Sequence, residues 1–193
     1  LITFGIPPTS PATGYGYIQR GDLVAQRQGV NAYRVQAFRE KPSPTDAETL
    51  VASPGVAWNA GMFLWRRRAI RAALELHAPE IAAGVADGFA SGDLAAAYPR
   101  LPSRSIDYAV MEHAKNVAVI EAPYDWDDLG SWQSLARLVG TDRFDNTVVG
   151  RHLGLNTTSS IIRSSDNHLV VTIGMKDCLV VHTPDATLVA NKN

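Results

Sequence analysis

Apolar and polar positions divide the chain into two textures. Up to about residue 145, short alternating runs are interleaved with stretches of helical spacing. Beyond that point only short apolar runs and polar turns remain. Residues 1–6 carry a strand pattern. The segment 7–14 holds three prolines and cannot be regular, because proline lacks the backbone donor and fixes φ. Alternation predicts strands over 15–20 and 33–39, with Gly21-Asp22 as a turn and Pro42 closing the second strand. Ser43 as N-cap, Pro44 in the first turn and Asp46 at the capping-box position open a helix that ends near Ala52. Residues 56–65 form a strand kinked at Asn59-Ala60-Gly61. Helical spacing covers 69–76, 80–89 and 94–97, and a short helix with Ser105 as its cap covers 105–112. A strand over 116–122 runs into the turn 124–132, and a helix follows to Val139.

The apolar runs 147–149, 160–162, 169–173, 178–182 and 186–189 predict a small all-β module, with a β-solenoid as its form. The fold class is therefore α/β, with one domain over 1–145 and a β module over 146–193. Hydrophobic residues make up 46% and charged residues 19% of the 193, the balance of a soluble globular chain. The net charge of −1 and the absence of any basic block longer than Arg66-Arg67-Arg68 argue against nucleic acid and anionic membrane as partners. No apolar run reaches membrane-spanning length. The single cysteine, Cys178, precludes an internal disulfide and points to a reducing, cytoplasmic compartment. The opening Leu1-Ile2-Thr3-Phe4, apolar and without methionine, suggests a piece of a longer polypeptide.

Several places could carry chemistry, and each has an ordinary structural reading beside it. The turn 124–132 packs Asp125, Asp127 and Asp128 with Trp126 and Trp132. Carboxylates between a strand and a helix suit a hard cation, with the indoles walling a cleft; they equally suit a helix N-terminus. Gly14-Tyr15-Gly16-Tyr17 lets a ligand approach the backbone, or is a plain loop-to-strand entry. At the end of a strand, Glu40 could bond hydroxyls and Lys41 could meet a phosphate; a neutral strand end is the alternative. Asn59, an amide in an apolar strand, needs partners that sugar hydroxyls or the backbone could supply. Asp107 and Glu112, five apart on a regular helix, would not share a face. The five histidines lack metal spacing, and the segment 166–168 is most simply a turn. The residues alone lead to an α/β domain with an acidic, aromatic-lined cleft and a β appendage.

Thr13-Gly14-Tyr15-Gly16-Tyr17-Ile18, Phe38-Arg39-Glu40-Lys41-Pro42, Trp58-Asn59-Ala60-Gly61-Met62-Phe63, the run Ser105 to Glu112, and Trp126-Asp127-Asp128-Leu129-Gly130-Ser131-Trp132 follow one another in an order and spacing that resembles the bacterial mannose-1-phosphate guanylyltransferases. The resemblance covers almost the whole chain. It implies the C-terminal portion of a Rossmann-like nucleotidyltransferase domain, followed by a small module like a left-handed β-helix. The implied reaction joins GTP and mannose 1-phosphate into GDP-mannose and diphosphate. It also implies roles. Gly16 meets the hexose through its backbone, Glu40 and Asn59 bond its hydroxyls, and Lys41 meets the phosphate. Asp107 lies near the site, and Asp128 is one of two aspartates on Mg²⁺. Asp127 ranks below Asp128. Lys41 and Asp128 are thus the implied catalytic residues. Such chemistry needs positioning and charge neutralisation rather than a protein nucleophile.

Two parts of the family pattern do not occur in these residues: the Gly-rich loop that cradles the GTP phosphates and the first metal aspartate. The expectation is that these 193 residues alone release no diphosphate. A parallel sheet without its first strands is also expected to expose an edge. Two other readings stay open: a nucleotidyltransferase using UTP or dTTP with another hexose 1-phosphate, and a non-catalytic sugar-phosphate-binding or assembly module. In either case the short strands of the β module invite pairing into a homodimer.

Overall fold

The computed structural model describes residues 1–165 and 167–192. It separates into two compact units, Leu1–Trp126 and Asp127–Asn193.

The first unit is built on a five-stranded sheet closed into a ring: β1 (Ile2–Ile6), β4 (Val56–Leu64), β2 (Tyr17–Arg27), β3 (Val30–Arg39) and β5 (Ala118–Glu121), in that spatial order. Only β1 and β5 run parallel; the other neighbours are antiparallel. The expected open edge is therefore absent, because β5 pairs with both β1 and β3. Gly21-Asp22 is not a turn. It lies inside β2, where the register against β3 slips repeatedly between Gln19 and Ala25, and the hairpin reverses at Gln28-Gly29, both with positive φ. Bulges of this kind absorb turn-forming residues without ending the strand.

The remaining elements follow the sequence pattern closely. Helix α1 (Pro44–Ala52) starts at Ser43, whose hydroxyl accepts the Asp46 N–H at 3.2 Å. The Asp46 carboxylate pairs with Arg39 at 3.3 Å. Helices α2 (Arg67–His77), α3 (Pro79–Ser91) and α4 (Leu94–Ala97) follow. One core joins Ile18, Phe38, Val110, Met111 and Val119 with α2; a second joins Ile6, Tyr17, Ala47 and Trp58, with Tyr15 and Trp126 packed against it. The predicted helix over 105–112 is instead a π-helical turn, Asp107–Met111, and it starts without the expected side-chain cap bond.

In the second unit, α5 (Gln133–Val139) precedes six short strands. β6 (Thr147–Val149), β8 (Ile161–Ser164) and β10 (Cys178–His182) stack in parallel, aligning Thr147, Ile161 and Leu179. β7 (Arg151–Leu155) and β9 (Leu169–Ile173) form a second parallel pair, and β11 (Thr187–Asn191) adds antiparallel to β10. β8, β9 and β10 thus each return beside the strand two earlier, which is the coil of a β-helix. Its corners use left-handed residues, among them Gly150, Asn156, Ser159, Gly174 and Asp177. Inside, Ile161, Leu179 and Val181 pack with Leu135. A buried polar ladder runs beside them: Asn146 donates to the Thr157 carbonyl at 2.9 Å, and Thr157 and His152 meet the Thr172 hydroxyl, each at 2.7 Å. The expected turn at 166–168 includes Asp166, which lies outside the described residues; Asn167 has φ +61°.

The break by packing falls between Trp126 and Asp127, ahead of the change of texture near residue 145. The difference has a physical cause. Helix α5 packs on the strands that follow it, and Thr147 donates back to the Gly140 carbonyl at 3.1 Å.

Candidate functional site

The site in the first unit forms where the end of β3, the middle of β4, the entry to β2 and the π turn converge. Proline at position 42 ends β3, and Lys41 just before it takes the left-handed conformation, φ +45°. That turn carries Glu40 inward and leaves Lys41 exposed.

Gly16 is buried against these groups. A Cβ there would overlap Glu40 Oε2 and stand 3.3 Å from the Asn59 Cβ. The Gly16 carbonyl accepts the Asn59 N–H at 2.7 Å. Gly14, by contrast, faces open space.

Asn59 sits where β4 bulges. The register against β1 slips between Gly5 and Thr3, and Gly61 (φ +68°) takes up the extra residues. The bulge lets Thr3 approach: its hydroxyl donates to Asn59 Oδ1 at 2.8 Å. Asn59 Nδ2 in turn donates to Asp107 Oδ1 at 3.2 Å. The amide is thereby fixed with one N–H still to give.

The π turn carries both Asp107 and Glu112. Its wide pitch joins the Glu112 N–H to the Asp107 carbonyl at 3.0 Å, five residues back. On a regular helix these two would diverge; here both line an open cleft of about 640 Å³ with Glu40, Lys41, Arg104 and His113. Glu112 Oε1 accepts the Glu40 N–H at 2.8 Å.

Electrostatics concentrate on Glu40. Oε2 is buried and has no hydrogen-bond partner among the described residues. Its pKa is raised, first by burial, then by the charge of Asp107 and, less, of Glu112, while Lys41 opposes the rise. A buried acceptor left unpaired costs about 1–3 kcal/mol. The arrangement suits a ligand that brings a hydroxyl to Glu40 and an anion to Lys41.

Four of the six residues singled out from the sequence, Gly16, Glu40, Asn59 and Asp107, therefore meet here, with Lys41 beside Glu40. Thr3 and Glu112 were not foreseen as parts of it. Nothing in the sequence marks Thr3. Glu112 needed the π turn, which no residue pattern announces.

Asp128 belongs to the second unit. It is exposed, and no hydrogen bond or ion pair engages its carboxylate among the described residues. It folds back over Gly130, where a Cβ would crowd Oδ2. Asp127 has a different task. Its carboxylate binds Arg137 through both oxygens, one of them to Nη2 at 3.0 Å, and accepts the Leu129 N–H at 3.1 Å. The Arg137 guanidinium holds its pKa down at about 2. Neither aspartate caps α5, whose first turn follows Trp132 without a side-chain cap bond. The indoles expected to wall a cleft do otherwise: Trp126 packs edge-on to Tyr15 at 5.4 Å, against the second core, and Trp132 is exposed.

Among the described residues no group of three or more His, Cys, Asp or Glu could hold a metal. The free Asp128 carboxylate fits a single ligand position of a hard cation that takes its other oxygens elsewhere. No helix is long and apolar enough to cross a membrane among the described residues.

Comparison with known proteins gives a consistent picture. Residues 1–142 match the nucleotidyl transferase family model, and residues 150–193 match a model described as a MannoseP isomerase/GMP-like beta-helix domain. A mannose-1-phosphate guanylyltransferase of Sinorhizobium fredii is 39% identical over 98% of this chain and 38% of its own length. One of Escherichia coli K12 is 36% identical over 100% of this chain and 42% of its own. The chain thus spans about two-fifths of these curated relatives. Among solved structures, a Thermus thermophilus protein described as a mannose-1-phosphate geranyltransferase superposes with a TM-score of 0.83. It is 32% identical and is matched over 99% of this chain and 56% of that one.

Proposed function

We propose that this chain, which belongs to the nucleotidyl transferase family, supplies the mannose 1-phosphate side of a guanylyltransferase making GDP-mannose and diphosphate from GTP. The observation that carries the reading is the buried, unpartnered Glu40 Oε2 against Gly16. A hexose hydroxyl would satisfy it. The similarity of the whole chain to named mannose-1-phosphate guanylyltransferases supports mannose as the sugar and GTP as the nucleotide.

In the reaction, a phosphate oxygen of mannose 1-phosphate attacks the α-phosphorus of GTP, and diphosphate leaves. Glu40 accepts from a hydroxyl of the hexose, and the remaining Asn59 N–H donates to another. Gly16 keeps the backbone close enough for the ring to rest on it. Lys41 neutralises the sugar phosphate as a compact point charge and holds the attacking oxygen in line. Asp107 orients Asn59. Asp128 would hold Mg²⁺, which when bound offsets the charge of the phosphates.

Isothermal titration with a panel of hexose 1-phosphates tests the reading. Mannose 1-phosphate is expected to bind at least about tenfold more tightly than glucose 1-phosphate, and Lys41→Ala to abolish the difference between mannose 1-phosphate and mannose. A preference for glucose 1-phosphate would point to a UTP- or dTTP-dependent relative. No binding of any hexose 1-phosphate would remove the proposal.

A further inference from the structure

Glu112 stands in the cleft with no role in the scheme above, yet its carboxylate makes a specific contact. Oε1 accepts the Glu40 N–H at 2.8 Å across 72 residues of sequence. Glu40 immediately precedes Lys41, a non-glycine residue held at φ +45°. A left-handed lysine is strained and persists only where its surroundings hold it. Pro42, buried, follows it, and a proline by itself favours an extended residue before it, so the left-handed turn has to be held from elsewhere. The Glu112 carboxylate grips the Arg39–Glu40 peptide, one residue ahead of the turn, and a hydrogen bond to a charged acceptor is among the stronger kinds.

We propose that Glu112 is a positioning residue: by accepting the Glu40 N–H it fixes the left-handed turn at Lys41, and so sets where the Lys41 ammonium and the Glu40 carboxylate meet the sugar phosphate. The inference rests on the proposed sugar-phosphate role of the site for its functional half. Its structural half, the clamp on the Glu40 peptide, stands without it. A carboxylate is a poor direct contact for an anionic ligand, and the contact Glu112 makes is to the backbone. Its charge has a second effect. Glu40 is faced by Asp107 and Glu112 from the π turn and by Lys41 from its own strand end, while the Gly16 segment and β4 present only uncharged groups. Removing the charge of Glu112 therefore lowers the proton affinity of Glu40.

The test compares Glu112→Gln and Glu112→Ala in the whole protein, with two readouts. The first is hydrogen exchange of the Glu40 amide, which needs no ligand. Glutamine keeps an acceptor, so exchange stays within about threefold of wild type; alanine removes it, and exchange rises at least about tenfold, with the melting temperature within a few degrees. The second is mannose 1-phosphate affinity across pH. Glu112→Ala weakens binding about tenfold, whereas Glu112→Gln binds nearly as wild type and moves the acid limb of the affinity profile to lower pH. A slow Glu40 amide in Glu112→Ala overturns the clamp. A fast Glu40 amide with unchanged affinity in Glu112→Ala overturns the positioning role. If wild type itself does not bind mannose 1-phosphate while the exchange results hold, the proposed function falls and the clamp remains.

Discussion

At the scale of single residues, the site depends on what is missing at Gly16 as much as on what Glu40 carries. Its φ is not positive, so backbone strain does not explain the glycine; the overlap of a Cβ with Glu40 Oε2 does. Because that oxygen ends a flexible side chain, Gly16→Ala is expected to leave the fold intact and push Glu40 out of place. Calorimetric titration should show at least about tenfold weaker mannose 1-phosphate binding, with thermal stability shifted by a few degrees at most. Glu40 itself carries a stability cost. Its raised pKa means that the native state favours the protonated form. The favourable contribution is present below the ordinary carboxylate range and is lost as pH rises through the raised native value. Glu40→Gln should therefore melt higher than wild type at neutral pH, with the gap closing as pH falls below about 4, while ligand affinity drops. Gly16, Glu40, Lys41 and Asn59 could be singled out in the sequence, each with an ordinary structural reading beside it, and only the resemblance to a known family gave them roles. Thr3 could not be: a threonine in an apolar strand is ordinary until the β1–β4 register places it under Asn59.

At the scale of elements, irregularity does the positioning. The β4 bulge turns Asn59 toward Thr3 and Asp107, and the π turn brings Asp107 and Glu112 to one side. Sequence patterns report period, and both features are local breaks of period, so a regular helix with diverging carboxylates was the natural expectation for 105–112. The acidic turn shows the same limit. Three aspartates close together look interchangeable in sequence, yet Asp127 is spent on Arg137 in the last turn of α5 while Asp128 stays free. With Asp127 at about 2, its pairing stabilises the second unit above the ordinary carboxylate range, and the contribution is lost as pH falls through about 2. Arg137→Ala should lower the melting temperature only slightly at pH 7, because the arginine is more than half exposed and such pairs contribute roughly 0–1 kcal/mol. The difference from wild type should shrink steadily below about pH 4. A difference that grows on acidification would mean that Asp127 is not the group held by Arg137.

At the scale of the whole molecule, the α/β class and the β-helix-like module were readable from texture. Short apolar runs with polar turns and no helical spacing leave little else for residues 146–193. The ring closure of the first sheet was not readable, since it depends on β5 reaching two partners at once, β1 and β3. That closure bears on the proposed site. It fixes β1, β4 and the end of β3 around one point, and so gives Thr3, Asn59 and Glu40 a rigid common frame. The most direct test of the account is a crystal structure of the protein with mannose 1-phosphate. A hexose hydroxyl is expected within hydrogen-bond distance of Glu40 Oε2, with the ring against Gly16 and the phosphate on Lys41. A sugar phosphate bound elsewhere, with Glu40 Oε2 still unpartnered, would contradict it.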